Sequence, residues 1–257
     1  MPRRDQTFAS AAGHPLVGTL SLPDGEVEAT AIFAHCFTCT RSSKAAVRIA
    51  DELARCGIAT LRFDFTGLGS SGGDFAAAGF ASDVDDLVAA AAHLGSALTP
   101  PSLLVGHSLG GAAALAAAAR IPSLRAIATL GAPADVAHVL HRIDGDLDAI
   151  ERDGSGPVTI GGRPFTIGAR FVAGAREADL LGAVRALNLP LLIAHAPLDP
   201  TVGIENARTL FEAARHPKTF LSLDRANHLL IDEADARYAA RMVATWASRY
   251  VAAAAAA

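Results

Sequence analysis

Short apolar runs alternate with longer amphipathic stretches along this chain, a rhythm that marks βαβ units. Residues 16–22 predict an early strand ahead of the turn Pro23-Asp24-Gly25, and residues 29–34 a buried strand ending at His35. Val47, Ala50, Leu53 and Ala54 recur at helical spacing, so a helix is expected over 43–56, stopped by Gly57. A strand over 58–63 runs into a glycine-rich loop over 64–73. A helix over 80–98 follows, its acidic first half suited to the positive end of its dipole. Then come a strand over 102–106, a helix over 109–120 and a strand over 124–130. Strands over 190–195 and 218–223, separated by a helix over 203–214, complete the sheet before a last helix over 232–251. The pattern predicts an α/β fold with a mostly parallel central sheet flanked by helices.

One region breaks the rhythm. Residues 134–187 are too long for a simple crossover. They open with helical spacing at Val136, Val139, Leu140 and Ile143. Pro157-Val158-Thr159-Ile160 and Pro164-Phe165-Thr166-Ile167 then flank Gly161-Gly162-Arg163, the pattern of a β-hairpin. We expect one α/β domain over 1–257 carrying an inserted lid over 134–187.

Composition narrows the function classes. With 257 residues, 51% of them hydrophobic, the chain holds enough apolar side chains for a sizeable core. A net charge of −4 leaves no basic footprint, so nucleic acid is not an expected partner. No run approaches the roughly 18 to 20 apolar residues that span a bilayer. The basic start Met1-Pro2-Arg3-Arg4 leads into Asp5-Gln6-Thr7-Phe8 rather than an apolar export segment. No membrane partner and a cytoplasmic location are the expectations. Cys36, Cys39 and Cys56 are an odd number and too few to staple a secreted fold. The alanine run 252–257 reads as a frayed helix end or the start of a linker.

The segment Gly106-His107-Ser108-Leu109-Gly110 carries the chemistry. It matches G-x-S-x-G with a strand running in and a helix running out, the context that lifts a serine above a sheet on a sharp turn. The glycines leave room for that turn, and the helix N-terminus offers the Leu109 N–H to a developing oxyanion. A serine hydroxyl needs a base and an orienting acid before it acts as a nucleophile. Among nine histidines, only His228 falls between the last strand and the last helix, where a loop can bring an imidazole over Ser108. Asp199, just past the strand that ends at His195, is the expected acid, with Asp135 and Asp224 as alternatives. The loop His35-Cys36-Phe37-Thr38-Cys39-Thr40 is expected to supply a second oxyanion donor, the Phe37 N–H.

In this order the motifs resemble the α/β-hydrolase superfamily over nearly the whole chain. His35-Cys36-Phe37-Thr38 resembles the His-Gly-Phe-Thr loop of small esterases, including cinnamoyl and feruloyl esterases. The stretch Arg62-Phe63-Asp64-Phe65-Thr66-Gly67-Leu68-Gly69-Ser70-Ser71-Gly72 is most similar to the hydrolase half of hydrolase–OsmC fusion proteins. Ile160-Gly161-Gly162-Arg163-Pro164-Phe165 and Ala226-Asn227-His228-Leu229-Leu230 resemble that group too. The sequence carries no OsmC segment, so the resemblance implies no peroxidase function here. Cys36 stands where the broader esterase group has glycine, and its side chain is expected to narrow the acyl pocket or tilt the Phe37 N–H. Asn227 stands in place of an aspartate often found before the histidine.

Other signals point elsewhere. Cys36 and Cys39 form C-x-x-C between a strand and a helix, so a redox-responsive protein with a vestigial triad is the alternative from another class. Gly67-Leu68-Gly69-Ser70-Ser71-Gly72 fits G-x-G-x-x-G, yet no helix opens within it and it reads as a structural turn. His138 and His141 lie three apart without a third ligand of suitable spacing, so no metal is expected. His35, His107 and His195 read as packed structural residues. The expected activity is carboxylesterase-type cleavage of small esters, short acyl or aryl, by Ser108, Asp199 and His228 through an acyl-enzyme. Phe37 and Leu109 N–H groups form the oxyanion hole, and Cys36, Phe165 and Phe171 are expected to line the substrate pocket. Thioesterase, amidase or acyltransferase chemistry on the same triad stays open, as does a homodimer. No cofactor is expected.

Overall fold

Within residues 29–34, Ile32 and Ala34 belong to one hydrophobic core and Ala31 and Phe33 to another. A strand buried on both sides must lie inside a sheet covered on both faces. The computed structural model describes residues 1–251, so the alanine run 252–257 lies outside the described residues. The chain begins with β1 (Arg3–Ala9), β2 (Pro15–Ser21), β3 (Ala29–Ala34), α1 (Lys44–Arg55), β4 (Ile58–Phe63), α2 (Phe80–Ala97), β5 (Leu103–His107), α3 (Leu109–Ala117) and β6 (Ala126–Leu130). An insert follows: a 3-10 segment (Val136–Arg142), β7 (Ile143–Asp144), α4 (Leu147–Asp153), β8 (Ser155–Ile160), β9 (Arg163–Gly168) and α5 (Ala169–Glu177). Then come α6 (Leu180–Ala186), β10 (Leu191–His195), α7 (Glu205–Ala213), β11 (Lys218–Ser222) and α8 (Glu233–Val251).

The main sheet runs β1-β2-β4-β3-β5-β6-β10-β11. β2 pairs antiparallel with β1 and β4, and the remaining pairs are parallel. Helices α1 and α8 cover one face, while α2, α3, α6 and α7 cover the other. Helix α1 illustrates how the sequence sets its own bounds. Ser43 Oγ accepts the Ala46 N–H at 3.4 Å, and Gly57, at φ +83°, ends the run beyond Cys56. Between those ends Ile49 and Leu53 are fully buried, each stabilising the fold by about 2 kcal/mol.

The topology also places the site. β3 lies between β4 and β5, with Ala34 opposite Gly106, and the chain leaves β3 and β5 towards opposite sides of the sheet. That reversal opens a crevice past the carboxyl ends of the two strands. The loop after β3 and the turn at Ser108 meet there.

Several details differ from the sequence pattern. β1 carries no sequence signal, because Phe8 alone of its side chains is buried and no alternation marks it. The helix expected over 109–120 ends at Ala117, and residues Ala118–Arg120 tighten into a 3-10 turn. In the insert, Gly161 and Gly162 take φ +57° and +76°, the paired positive φ of a two-residue hairpin turn between β8 and β9. α4 gave no periodic signal because it buries one side chain, Ile150. No helix among the described residues is long and apolar enough to cross a membrane.

Candidate active site

Ser108 sits between β5 and α3 at φ +55° and ψ −127°, a strained conformation for a residue with a side chain. Its neighbours show why the turn needs glycine. A Cβ on Gly106 would fall 2.4 Å from the Gly110 carbonyl oxygen, and one on Gly110 would fall 2.3 Å from that of His35. The turn therefore packs backbone on backbone, and the Ser108 N–H is tied to the Leu130 carbonyl at 2.9 Å.

Ser108, His228 and Asp199 come together from three separate loops. His228 Nε2 lies 3.0 Å from Ser108 Oγ, and His228 Nδ1 lies 2.7 Å from Asp199 Oδ2. Ionised Asp199 accepts, so the network assigns the proton to Nδ1 and leaves Nε2 to accept from the serine hydroxyl. The other Asp199 oxygen accepts the N–H groups of Thr201 and Val202 at 2.8 and 3.0 Å. Burial alone pushes the Asp199 carboxyl up, but the hydrogen bonds from His228, Val202 and Thr201 outweigh it and hold the group below its ordinary value. The alternatives are engaged elsewhere. Asp135 accepts the Ala137 N–H at 3.0 Å as the cap of the 3-10 segment, and Asp224 accepts from the Ser222 hydroxyl.

The three strand-end histidines are buried, and each bonds a main-chain carbonyl. His107 Nε2–H donates to the carbonyl of His228 at 2.7 Å. Burial, followed by the neighbouring His228, pushes its pKa down to about 3, so the ring stays neutral. His195 Nε2–H donates to Val202 at 2.8 Å, in the turn whose N–H groups hold Asp199. His35 Nδ1–H donates to Cys36 at 2.9 Å, at the start of the opposite loop. Sequence reasoning assigned none of these contacts: that of His107 spans 121 positions, whereas those of His195 and His35 stay within their own loops.

The loop after β3 faces Ser108. Among the described residues the N–H groups of Phe37 and Leu109 donate to no backbone carbonyl, and both residues line the cavity that contains Ser108 and His228. Cys36 and Cys39 are joined by a disulfide that encloses Phe37, and both line the same cavity. The hairpin reaches this loop through Arg163, whose Nη2 donates to the Thr38 carbonyl at 2.5 Å and to its hydroxyl at 3.1 Å. The Gly67–Gly72 loop is a structural turn. Buried Asp64 accepts the Ser70 N–H at 2.9 Å and pairs with Arg41, and Gly69 leaves room for its carboxylate.

The cavity measures about 540 Å³. Its apolar wall includes Val139, Ile160, Val202 and Leu229, and its polar wall His138, Arg142 and Arg163. Phe165 and Phe171 are not among the residues that line it, and Phe171 borders a smaller adjoining hollow with Cys36, Phe37 and Leu109. The Phe171 ring stacks on Phe37 with centroids 5.0 Å apart, and Phe165 packs on Phe75 at 5.4 Å, so both lie behind the Phe37 side chain. His138 donates its Nε2–H to the Thr201 carbonyl at 3.0 Å and forms part of the wall.

Comparison with known proteins places these features in a family. Residues 25–144 match a family model described as serine aminopeptidase, S33. The solved esterase domain of a Rhodothermus marinus protein is 46% identical, with 97% of this chain and 99% of that chain covered and a TM-score of 0.81. A monoacylglycerol lipase from Mycolicibacterium smegmatis is 25% identical over 240 residues, covering 82% of this chain and 84% of that protein. Est1E from Butyrivibrio proteoclasticus, solved with ferulic acid bound, shares the fold at 20% identity, with 95% and 98% coverage and a TM-score of 0.80.

Proposed function

The chain belongs to the α/β-hydrolase superfamily, and we propose that it is a serine hydrolase cleaving small carboxylic esters through an acyl-enzyme. The observation that carries this reading is the unbroken line from Asp199 through His228 to Ser108, at 2.7 and 3.0 Å. Ser108 Oγ attacks the ester carbonyl carbon while His228 Nε2 takes its proton. Asp199 keeps the imidazole in register and stabilises the imidazolium. The carbonyl oxygen becomes an oxyanion held by the Phe37 and Leu109 N–H groups, and one such donor is worth about 10²–10³ in kcat. Collapse breaks the bond to the alcohol oxygen, which leaves with the proton from His228. Water then gives a proton to His228 and attacks the acyl-enzyme. The carboxylic acid departs as Ser108 regains its proton. The insert within residues 134–187 serves as the lid of this site.

An esterase domain and a monoacylglycerol lipase among the relatives support ester cleavage. The serine aminopeptidase description of the matched family model favours an amide reading. An aminopeptidase must hold a substrate ammonium, which calls for a carboxylate in the pocket. Here the wall carries Arg142 and Arg163, with no aspartate or glutamate among the described lining residues. Ester cleavage is therefore the better fit.

The test uses wild type and Ser108→Ala with a fluorophosphonate probe and p-nitrophenyl esters of graded chain length. Labelling and turnover by wild type alone are expected. A wild type that neither labels nor turns over any ester refutes the serine-hydrolase reading.

A further inference from the structure

Hydrolysis of a neutral ester needs a nucleophile, a proton relay and N–H donors, and none of these accounts for the cations on the cavity wall. Arg142, from the 3-10 segment, and Arg163, the first residue of β9, line the cavity that holds Ser108 and His228. Arg142 Nη2 donates to the Pro200 carbonyl at 2.7 Å and also to that of Thr201. Arg163 Nη2 is held by Thr38, and its guanidinium lies 5.2 Å from the Phe165 ring centroid. One arginine is thus tied to the segment after Asp199 and the other to the oxyanion loop. Both are held through Nη2, which leaves Nε and Nη1 without an acceptor among the described residues.

Carbonyl partners orient these guanidiniums without neutralising them. Neither has a carboxylate within ion-pair distance among the described residues, although arginines elsewhere, such as Arg41 and Arg176, do. Anchored at Nη2, each guanidinium keeps its Nε–H and Nη1 hydrogens as single charged donors for an anion, with little rotamer freedom left to lose. Val139, Ile160, Val202 and Leu229 supply an apolar wall beside them.

We propose that the cavity binds esters that carry a carboxylate, the apolar wall taking the carbon skeleton and Arg142 and Arg163 the anion. The proposal rests on the esterase reading above and names its substrate class. Monoesters of dicarboxylic acids and esters of aromatic hydroxy acids are the two forms it takes, according to which side of the ester bond the arginines face.

Matched pairs test this. On the acyl side the p-nitrophenyl monoester of adipic acid is compared with p-nitrophenyl hexanoate. On the alcohol side para-acetoxybenzoate is compared with its methyl ester. The wild type is expected to favour the charged member of at least one pair by about tenfold or more in kcat/KM at low salt. Added salt shrinks the preference. Arg142→Gln lowers that ratio by about tenfold, and Arg142→Glu turns it towards the neutral ester. Because both members are measured on one preparation, the ratio does not depend on how much of a variant folds. The proposal is overturned if neither pair shows a preference for the charged ester, or if the ratio is unchanged in both Arg142 variants. If the neutral esters are still cleaved by wild type and not by Ser108→Ala, the esterase reading survives that result. If no ester is cleaved at all, both readings fall.

Discussion

Gly110 is where α3 meets the oxyanion loop, and it offers a sharp perturbation. An added Cβ falls 2.3 Å from the His35 carbonyl oxygen and 2.6 Å from that of Ala34, against 3.4 Å at the near edge of ordinary contact. The backbone at His35 must retreat by about 1.1 Å (3.4 − 2.3) or α3 must shift by as much. Neither movement has a rotamer to absorb it, and the Phe37 N–H lies two residues further along the displaced loop. A misplacement of about 1 Å near reacting atoms costs on the order of a hundredfold, comparable to losing one oxyanion donor. Gly110→Ala is therefore expected to lower kcat about a hundredfold with KM within about threefold, alongside an overpacking cost of about 1–3 kcal/mol. Gly111→Ala is the control, since its Cβ would meet the Ala132 Cβ at 2.7 Å and the Gly106 carbonyl oxygen at 3.0 Å, away from the oxyanion loop. It is expected to lose comparable stability and much less kcat. Steady-state kinetics on a p-nitrophenyl ester and urea denaturation of the three proteins separate the effects. If Gly110→Ala keeps wild-type kcat, or if both variants lose kcat in proportion to stability, the reasoning fails.

Asp199→Asn keeps the side-chain shape but favours the wrong imidazole tautomer, and kcat is expected to fall about 10³–10⁴-fold. Asp135→Asn, at the cap of the 3-10 segment, should leave kcat within about twofold, and equal losses would reopen the choice of acid. His107 is held neutral by burial, its pKa falling from 6.5 to about 3, so the stability it confers is present above 6.5 and lost as pH falls towards 3. Between about pH 7.5 and about pH 5 that loss comes to about 2 kcal/mol. His107→Gln is expected to remove this share of the slope in urea denaturation, and parallel wild-type and variant profiles would contradict it. Reducing the Cys36–Cys39 bond frees the loop around Phe37 and is expected to lower kcat about fivefold, on the order of 1 kcal/mol of lost positioning. Identical kinetics with and without a phosphine reductant would exclude that coupling.

The parts legible in the sequence are those where local chemistry leaves one choice. Residues of β4 are buried throughout and interrupted by nothing polar except Thr60 and Arg62, and the glycines around Ser108 are demanded by a turn that no side chain fits. The acid was harder to fix. Asp135 and Asp199 follow β6 and β10, which are adjacent in the sheet, so chain order alone leaves both open. What separates them is the turn after Asp199, whose Thr201 and Val202 N–H groups orient the carboxylate towards His228. The hydrogen bond from His107 to the His228 carbonyl spans 121 positions and leaves no local trace.

Phe165 and Phe171 pack behind the loop after β3 rather than in the wall of the cavity. An aromatic residue in a lid suggests a pocket wall, yet both rings pack in the cluster that backs Phe37. Aromatic pairs of this kind contribute about 0.5–1.5 kcal/mol beyond their buried area, enough to bias where the Phe37 backbone sits. Arg163 adds a second hold on the following residue, Thr38, which takes φ +58°. The disulfide between Cys36 and Cys39 closes the same four residues from within. Three independent constraints thus converge on the segment that carries the proposed oxyanion donor, and two of them come from the insert. In the proposed reaction the insert acts on rate through the geometry of that donor, and on selectivity through Val139, Arg142, Ile160 and Arg163, which line the cavity.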